Sequence, residues 1–203
     1  MALAHKGLEA EIVPWRFTET SRLTFAGAEK VPVLVDGERV IHDSTPIAEY
    51  LDTAYPNAPS LFHGDAAARR FVLAWTNVVL HPALVRLIVS DIPAVLDEPA
   101  RSYFIASREQ RFGMTLAQVT EGRAAQLPQF RALLTPVRQV MEAQDFLGGE
   151  EPDYADHAVF GAFQWARCTS PFQLLDAADP VHAWRERMLD LFGGVARDVP
   201  AFD

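Results

Sequence analysis

The sequence predicts an α/β N-terminal domain over residues 1–58 followed by an all-α domain over residues 65–203. Three observations support this fold class. β-Branched runs and a hairpin pattern occur near the N-terminus. The segment 56–65, PNAPSLFHGD, is rich in Pro, Asn, Gly and Ser, which is typical of a boundary. Beyond it the apolar spacing is helical.

Two apolar, β-branched runs lie in the N-terminal part, AEIV at 10–13 and VPVLV at 31–35. A third, ERVI at 38–41, follows the dipeptide Asp36-Gly37. Asp-Gly readily adopts the positive φ that a short hairpin requires. We therefore expect a strand at 10–13 and a β-hairpin over 31–42.

A helix is predicted directly after the hairpin. Asp43 or Ser44 is suited to cap it, and Ile47, Leu51 and Ala54 recur at intervals of four and three. The pattern ends at Tyr55-Pro56, just before the boundary segment.

The C-terminal part reads as helix throughout, with long segments near 66–94, 101–124 and 128–144. The stretch EEPDYADHAVFGAFQWARC is apolar on most helical faces, which predicts a buried helix. Asp153 is placed to cap its first turn, and Asp156 to reach back to the Asp153 amide. A last helix is expected near 179–196.

Charge and composition exclude several functions. The 203 residues include 18 Lys and Arg against 27 Asp and Glu, and the formal charge of −9 disfavours nucleic acid and anionic membrane surfaces as partners. Apolar runs are short, and charges at Lys6, Glu9 and Glu11 interrupt the N-terminus, so we expect neither an export signal nor a membrane anchor. The single cysteine, Cys168, points to a reducing cytoplasm. The six histidines lack metal-ligand spacing, so no metal site is predicted.

Val31-Pro32 and Asp43-Ser44 form the most informative pair of motifs. If the Val31-Pro32 bond is cis, the Val31 N–H and C=O stay free of the sheet and available to an extended peptide. The helix N-terminus at Asp43 and Ser44 favours a carboxylate. Together they suit a small peptide carrying its own carboxylate. Taken singly, each motif is more often structural, an ordinary proline and an ordinary cap.

The segments VPVLVDG, IHDSTPIAEYLDTAYP and FLGGEEPDYADHAVF resemble the glutathione S-transferase superfamily over nearly the whole chain. The resemblance implies a thioredoxin-like domain followed by a helical one, a cytoplasmic homodimer, and glutathione as co-substrate. It implies that Val31, before a cis Pro32, pairs with the cysteine backbone of glutathione. Asp43 and Ser44 would hold the γ-glutamyl carboxylate and amine. Lys30 is a candidate for the glycine carboxylate, with a solvated side chain as the alternative.

A narrower resemblance concerns MALAHKGLEAEIVP, SREQRFGMTL, EGRAAQLP and GGVARDVPAF, which look like bacterial glutathione-dependent β-aryl etherases. It implies a hydrophobic aromatic acceptor. Trp75, Phe104 and Phe112 are candidates for the acceptor pocket, with core packing as the alternative. Arg108, Arg111 and Arg123 are expected on solvated helix faces.

In this family MALAHKGL resembles the later part of the first helix. The resemblance therefore implies that the first strand and the catalytic turn, a Ser-Pro-x-x-x-Arg motif or its equivalent, lie upstream of Met1 and leave the sheet incomplete. We therefore assign no catalytic residue. Three functions stay open: a transferase, with β-aryl ethers among its candidate substrates; a catalytically silent glutathione-binding scaffold or regulatory protein; and a glutathione-dependent thiol reductase or isomerase.

Overall fold

The computed structural model describes residues 1–202, which form a small sheet with one flanking helix and a larger helical domain. The N-terminal elements are α1 (Ala2–His5), β1 (Val33–Asp36), β2 (Arg39–His42) and α2 (Ser44–Ala54). The helical domain contains α3 (Ala66–Trp75), α4 (His81–Ile88), α5 (Ala100–Phe112), α6 (Leu116–Val119), α7 (Arg123–Leu133), α8 (Thr135–Ala143), α9 (Tyr154–Thr169) and α10 (Pro180–Gly194). This arrangement confirms the predicted fold class.

The β-hairpin is confirmed. β1 and β2 pair antiparallel from Val33 opposite His42 to Asp36 opposite Arg39, which leaves Gly37 and Glu38 as a two-residue turn. Gly37 has a φ of 58°, the left-handed conformation that glycine adopts without steric cost.

α2 is fixed to the end of this hairpin by one carboxylate. Asp36 accepts hydrogen bonds from the hydroxyls of Tyr50 at 2.9 Å and Tyr55 at 2.6 Å. These hydrogen bonds, Tyr55 first, lower the pKa of Asp36. The hairpin and α2 therefore form one unit.

The strand predicted at 10–13 is wrong. Within residues 1–202 the sheet has two strands, and the segment is irregular, with Ile12 77% and Val13 60% exposed. β-Branched residues favour an extended chain, but a strand also needs a neighbour to pair its N–H and C=O groups. The segment faces β1 across a groove and does not pair with it.

Of the three long helical segments predicted for the C-terminal part, 101–124 and 128–144 are each interrupted. Gly113 and Gly122, with φ of 68° and 67°, separate α5, α6 and α7, because a left-handed residue cannot continue a right-handed helix. α7 begins at Arg123, five residues before the predicted start, and Pro136 lies in the first turn of α8, where its missing N–H costs no hydrogen bond.

The run Ala66–Ile88 consists of α3, a π-helical turn (Thr76–Leu80) and α4. By length and composition alone this run could cross a membrane. Its fully buried side chains, however, join those of α9 in the main hydrophobic cluster, among them Leu80, Leu84, Phe160 and Phe163. One face of the run therefore packs into the core of the helical domain.

The start of α9 confirms the predicted capping box. Asp153 accepts from the amide of Asp156, and Asp156 accepts from the amide of Asp153 at 3.1 Å. Asp156 is fully buried, and its oxygens also accept from Leu147 N at 2.7 Å, Gly148 N at 2.9 Å and Trp184 Nε1 at 2.9 Å. Burial raises the pKa of Asp156 and the hydrogen bonds oppose that shift.

The predicted last helix is confirmed as α10, where Val181, Trp184 and Met188 are fully buried. Its helical geometry breaks at Leu191–Gly193, and Phe192 has a φ of 54°. Leu191 and Phe192, near the C-terminal end of α10, are only half-buried.

A small hydrophobic cluster joins the sheet to the helical domain. It contains Ala48 and Leu51 of α2, Leu61 of the connecting segment and Tyr154 of α9. The Tyr154 amide donates to the Leu61 carbonyl at 2.8 Å. The capping box of α9 therefore lies directly beside the contact that positions α2.

Candidate functional site

The Val31-Pro32 peptide bond is cis, as the resemblance implies. Pro32 lies next to the N-terminus of α2, because the Asp43 amide donates to the Pro32 carbonyl at 3.2 Å. The two motifs singled out in the sequence are therefore adjacent in space.

Val31 keeps its main chain free. Its side chain is 47% exposed, and within residues 1–202 no backbone hydrogen bond involves its N–H or C=O. Both groups are available to an extended peptide that docks in the manner of a strand.

Asp43 occupies the N-cap position of α2, but the predicted side-chain cap is wrong: neither Asp43 nor Ser44 caps the helix. Asp43 combines a positive φ of 69° with a ψ of 143°, a backbone conformation that is rare for residues other than glycine. Its carboxylate is 61% exposed and lies 3.7 Å from Nδ1 of His42. A non-glycine residue held in this conformation costs roughly 1 kcal/mol or more and is frequent at ligand sites.

The first turn of α2 is free to bind an anion. Among the described residues no hydrogen bond satisfies the amides of Ser44 and Thr45 or the Ser44 hydroxyl, and Pro46 has no amide. Unpaired N–H groups and the positive end of the helix dipole favour a carboxylate at this position. The Asp43 carboxylate beside them suits an amine. This pairing matches the carboxylate and amine of an amino acid.

Lys30 is exposed and directly precedes Val31. Its backbone therefore adjoins the Val31 part of the site. Its contact with a ligand carboxylate stays a prediction.

A groove of about 810 Å³ runs along β1 and ends at Val31 and Pro32. Its walls are mostly apolar and come from residues 8–15 and 31–36, with Leu3, Arg22, Leu23, Phe25, Leu51 and Tyr55. Tyr55 is engaged with Asp36, and this hydrogen bond raises the pKa of the phenol. Tyr55 is therefore a poor source of a phenolate.

The three predicted acceptor-pocket residues do not come together. Trp75 packs against the main core, whereas Phe104 is buried in a second cluster with Phe112 beside it. Trp165 borders both clusters. The structure thus pairs Phe104 with Phe112 and separates them from Trp75.

Two of the three arginines expected on solvated faces are not there. Arg123 donates to Asp91 Oδ2 at 2.6 Å and to the Leu87 carbonyl at 2.9 Å. Arg108 is half-buried, with its guanidinium 4.8 Å from the centre of the Phe104 ring. Arg111 is exposed, as expected.

A buried histidine pair was not found by sequence reasoning. Nδ1 of His5 and Nε2 of His157 lie 2.9 Å apart, and both residues are buried. Burial and the charge of His5 lower the pKa of His157 to about 3. The two residues are 152 positions apart, so no local pattern signals their contact.

Neither metal nor thiol chemistry is indicated within residues 1–202. No group of three or more His, Cys, Asp or Glu side chains in this range is arranged to hold a metal ion. Cys168 is a free thiol, and burial raises its pKa against the opposing effect of Arg167. A raised pKa reduces the thiolate fraction and hence the reactivity.

Two family models match the chain, the glutathione S-transferase N-terminal domain over residues 1–54 and the glutathione S-transferase C-terminal domain over residues 67–186. The chain belongs to the glutathione S-transferase family.

A curated relative is the glutathione S-transferase-like protein ustS of Aspergillus flavus, 29% identical over 137 residues, which are 61% of this chain and 49% of that protein. The chain therefore spans about half the length of the curated relative it matches.

Two solved structures share the fold. A Ceriporiopsis subvermispora glutathione S-transferase in complex with glutathione is 21% identical, covers 94% of this chain and 86% of its own, and superposes with a TM-score of 0.75. The β-etherase LigF of Sphingobium sp. strain SYK-6 is 17% identical, with coverage of 93% and 88% and a TM-score of 0.67. At these identities the likeness establishes the fold alone.

Proposed function

We propose that this chain is a glutathione transferase that binds glutathione beside Val31 and the N-terminus of α2 and conjugates it to a hydrophobic aromatic electrophile. One observation carries this proposal. Within residues 1–202 the Val31 main chain has no hydrogen bond and lies next to the N-terminus of α2, where the Ser44 amide is also unpaired, and the hydrogen bond from Asp43 to Pro32 links the two. A solved family member in complex with glutathione supports the choice of ligand.

Each part of glutathione has a partner in this arrangement. The cysteine backbone pairs with the N–H and C=O of Val31. The γ-glutamyl carboxylate accepts from the Ser44 hydroxyl and the amides of Ser44 and Thr45, while Asp43 accepts from its amine. Lys30 pairs with the glycine carboxylate.

The reaction joins the glutathione sulfur to an electrophilic carbon. The thiolate forms the C–S bond, and the leaving group, a halide or a phenolate, departs with the electron pair of the bond that breaks. The acceptor is aromatic, and β-aryl ethers are the candidate substrate class because of the sequence segments shared with β-aryl etherases. We assign no residue to thiol activation.

The enzyme is proposed to act as a cytoplasmic homodimer. Phe71 and Val78 on the run Ala66–Ile88 are both 71% exposed and lie seven positions apart. An exposed apolar face on a core helix is the kind of surface that a second copy covers. The free Cys168 is consistent with a reducing compartment.

Two assays test the proposal. Glutathione-agarose should retain the protein and free glutathione should elute it. The purified protein should then conjugate 1-chloro-2,4-dinitrobenzene or release a fluorescent phenol from a β-aryl ether. Failure to bind glutathione would overturn the proposal.

A specific observation favours a second candidate, a glutathione-binding scaffold without turnover. Within residues 1–202 the groove lining contains one hydroxyl, that of Tyr55, and it donates to Asp36. Such a scaffold would be retained on glutathione-agarose yet turn over neither electrophile. Retention together with turnover excludes this candidate.

A further inference from the structure

Arg108 of α5 lies on an aromatic cluster formed by Trp15, Phe17 and Phe104. Its guanidinium carbon is 4.8 Å from the ring centre of Phe104 and 5.9 Å from that of Phe17. The two rings are themselves 6.2 Å apart. Stacking on aromatic faces removes water from one side of the cation and fixes its orientation.

Within residues 1–202 this half-buried cation has no carboxylate partner. Its only hydrogen bond there is from Nη1 to the Ser107 hydroxyl at 3.0 Å, and no ion pair includes it. Burial and the neighbouring charge of Arg111 lower its pKa. A partly desolvated charge without a counter-charge is costly, and like charges three residues apart on a helix add to the cost.

Two of the other arginines near this cluster are paired. Arg16 binds Asp97 at 2.8 Å, and Arg101 donates to the carbonyls of Pro93 and Leu96. In a chain with nine more acidic than basic residues, counter-charges are abundant. The guanidinium fork of Arg108, which matches a carboxylate, is left without one.

The aromatic cluster leads from Arg108 to the groove beside Val31. Trp15 lines the groove together with Val31 and Pro32. The Trp15 ring meets Phe17 edge-on at 6.2 Å, and Phe17 in turn packs on Phe104 beneath Arg108. A series of aromatic ring contacts therefore connects Trp15, in the lining of the groove, to the rings beneath Arg108.

We propose that Arg108 binds the anionic group of an aromatic acceptor, so that the preferred substrates are aromatic electrophiles carrying a carboxylate or phenolate. The ring of the acceptor packs on the Trp15 and Phe17 side, and its anion occupies the open fork. This inference rests on the proposed transferase function for its catalytic consequence. Binding of the aromatic anion does not require turnover.

The kinetic test compares two chloronitrobenzenes of different charge, the neutral 1-chloro-2,4-dinitrobenzene and the anionic 4-chloro-3-nitrobenzoate. In both, the glutathione thiolate forms a C–S bond and chloride leaves with its electron pair. In Arg108→Gln we expect the ratio of KM for the anionic probe to KM for the neutral probe to rise about tenfold, or about 1.4 kcal/mol. Arg86→Gln, at an exposed arginine of α4, is the matched control and should leave the ratio at the wild-type value.

A binding test separates this inference from the proposed function. Quenching of tryptophan fluorescence gives the affinity for 4-chloro-3-nitrobenzoate and for the neutral 1-chloro-2-nitrobenzene without glutathione. Charge-selective binding that Arg108→Gln abolishes supports the inference even if no probe is turned over. Turnover without charge selectivity overturns the inference and leaves the transferase function intact.

Folding of the variants is checked by thermal melts. If Arg108→Gln is unstable, Arg108→Lys keeps the charge but loses the bidentate fork, and it should raise the KM ratio by a smaller factor. Binding of the two probes to the wild-type protein also tests the inference without any variant. Equal affinity for the two probes at low salt overturns the inference.

Discussion

The amide of Asp43 donates a hydrogen bond to the carbonyl oxygen of Pro32 at 3.2 Å. This contact ties the N-terminus of α2 to the loop that exposes the Val31 main chain. This hydrogen bond therefore links the two sets of atoms that are proposed to bind the γ-glutamyl and cysteinyl parts of glutathione.

Replacing Asp156, whose carboxylate belongs to the capping box of α9, should lower the free energy of unfolding. Each oxygen of Asp156 accepts two hydrogen bonds in a fully buried position. Asp156→Asn turns an NH₂ group towards two of these donors, so we expect a loss of about 3 kcal/mol in the free energy of unfolding, measured by urea titration.

The matched control for that experiment is Asp145→Asn. The Asp145 side chain is 72% exposed and lies 3.9 Å from Arg187. Its loss should cost less than about 1 kcal/mol. Equal effects of the two substitutions would show that the capping box does not stabilise the helical domain.

Acid should destabilise the protein through His157. Its pKa is about 3 in the folded chain against an ordinary value of 6.5, because burial and the charge of His5 disfavour the imidazolium. Between these values the unfolded chain binds more protons, so stability is lost as the pH falls. From about pH 7.5 to about pH 5 this histidine should account for about 2 kcal/mol.

The variant His157→Gln should flatten that pH dependence, measured by urea unfolding at the two pH values. His42→Gln, at an exposed histidine, should keep the wild-type slope. Identical slopes in wild type and His157→Gln would contradict the assignment of the acid response to this residue.

A charged residue on the exposed face of the run Ala66–Ile88 should break the proposed dimer. Phe71→Glu places a carboxylate on a surface that a second copy would bury, and light scattering should show the mass falling from two chains to one. Met114→Glu changes a residue that is 44% exposed on another part of the surface and should leave the dimer intact. A wild-type protein that is already monomeric would refute the dimer.

Local patterns account for what the sequence predicts correctly. The hairpin depends on Asp36-Gly37, and the capping box on two acids three positions apart. Both signals lie within a few residues of the structure they create. Because these signals are local, the sequence alone is enough to predict the fold class.

The errors concern partners that are distant in the sequence. The segment 10–13 has the composition of a strand, but its pairing depends on a neighbour elsewhere. Arg123 is half-buried against Asp91 and Phe172, which lie 32 and 49 positions away, although its local sequence pattern is that of a solvated helix face. Asp43 makes no side-chain cap, and its positive φ of 69° departs from the extended backbone that is usual at an N-cap.

The central claim is tested most directly by calorimetric titration of glutathione into wild type, Ser44→Ala and Thr53→Ala. Thr53, an exposed residue on the same helix, is the matched control because it also carries a hydroxyl, which donates a hydrogen bond to the Glu49 carbonyl. If Ser44 holds the γ-glutamyl carboxylate, Ser44→Ala should weaken binding about tenfold while Thr53→Ala binds as wild type. Equal glutathione affinity in all three proteins would contradict the site.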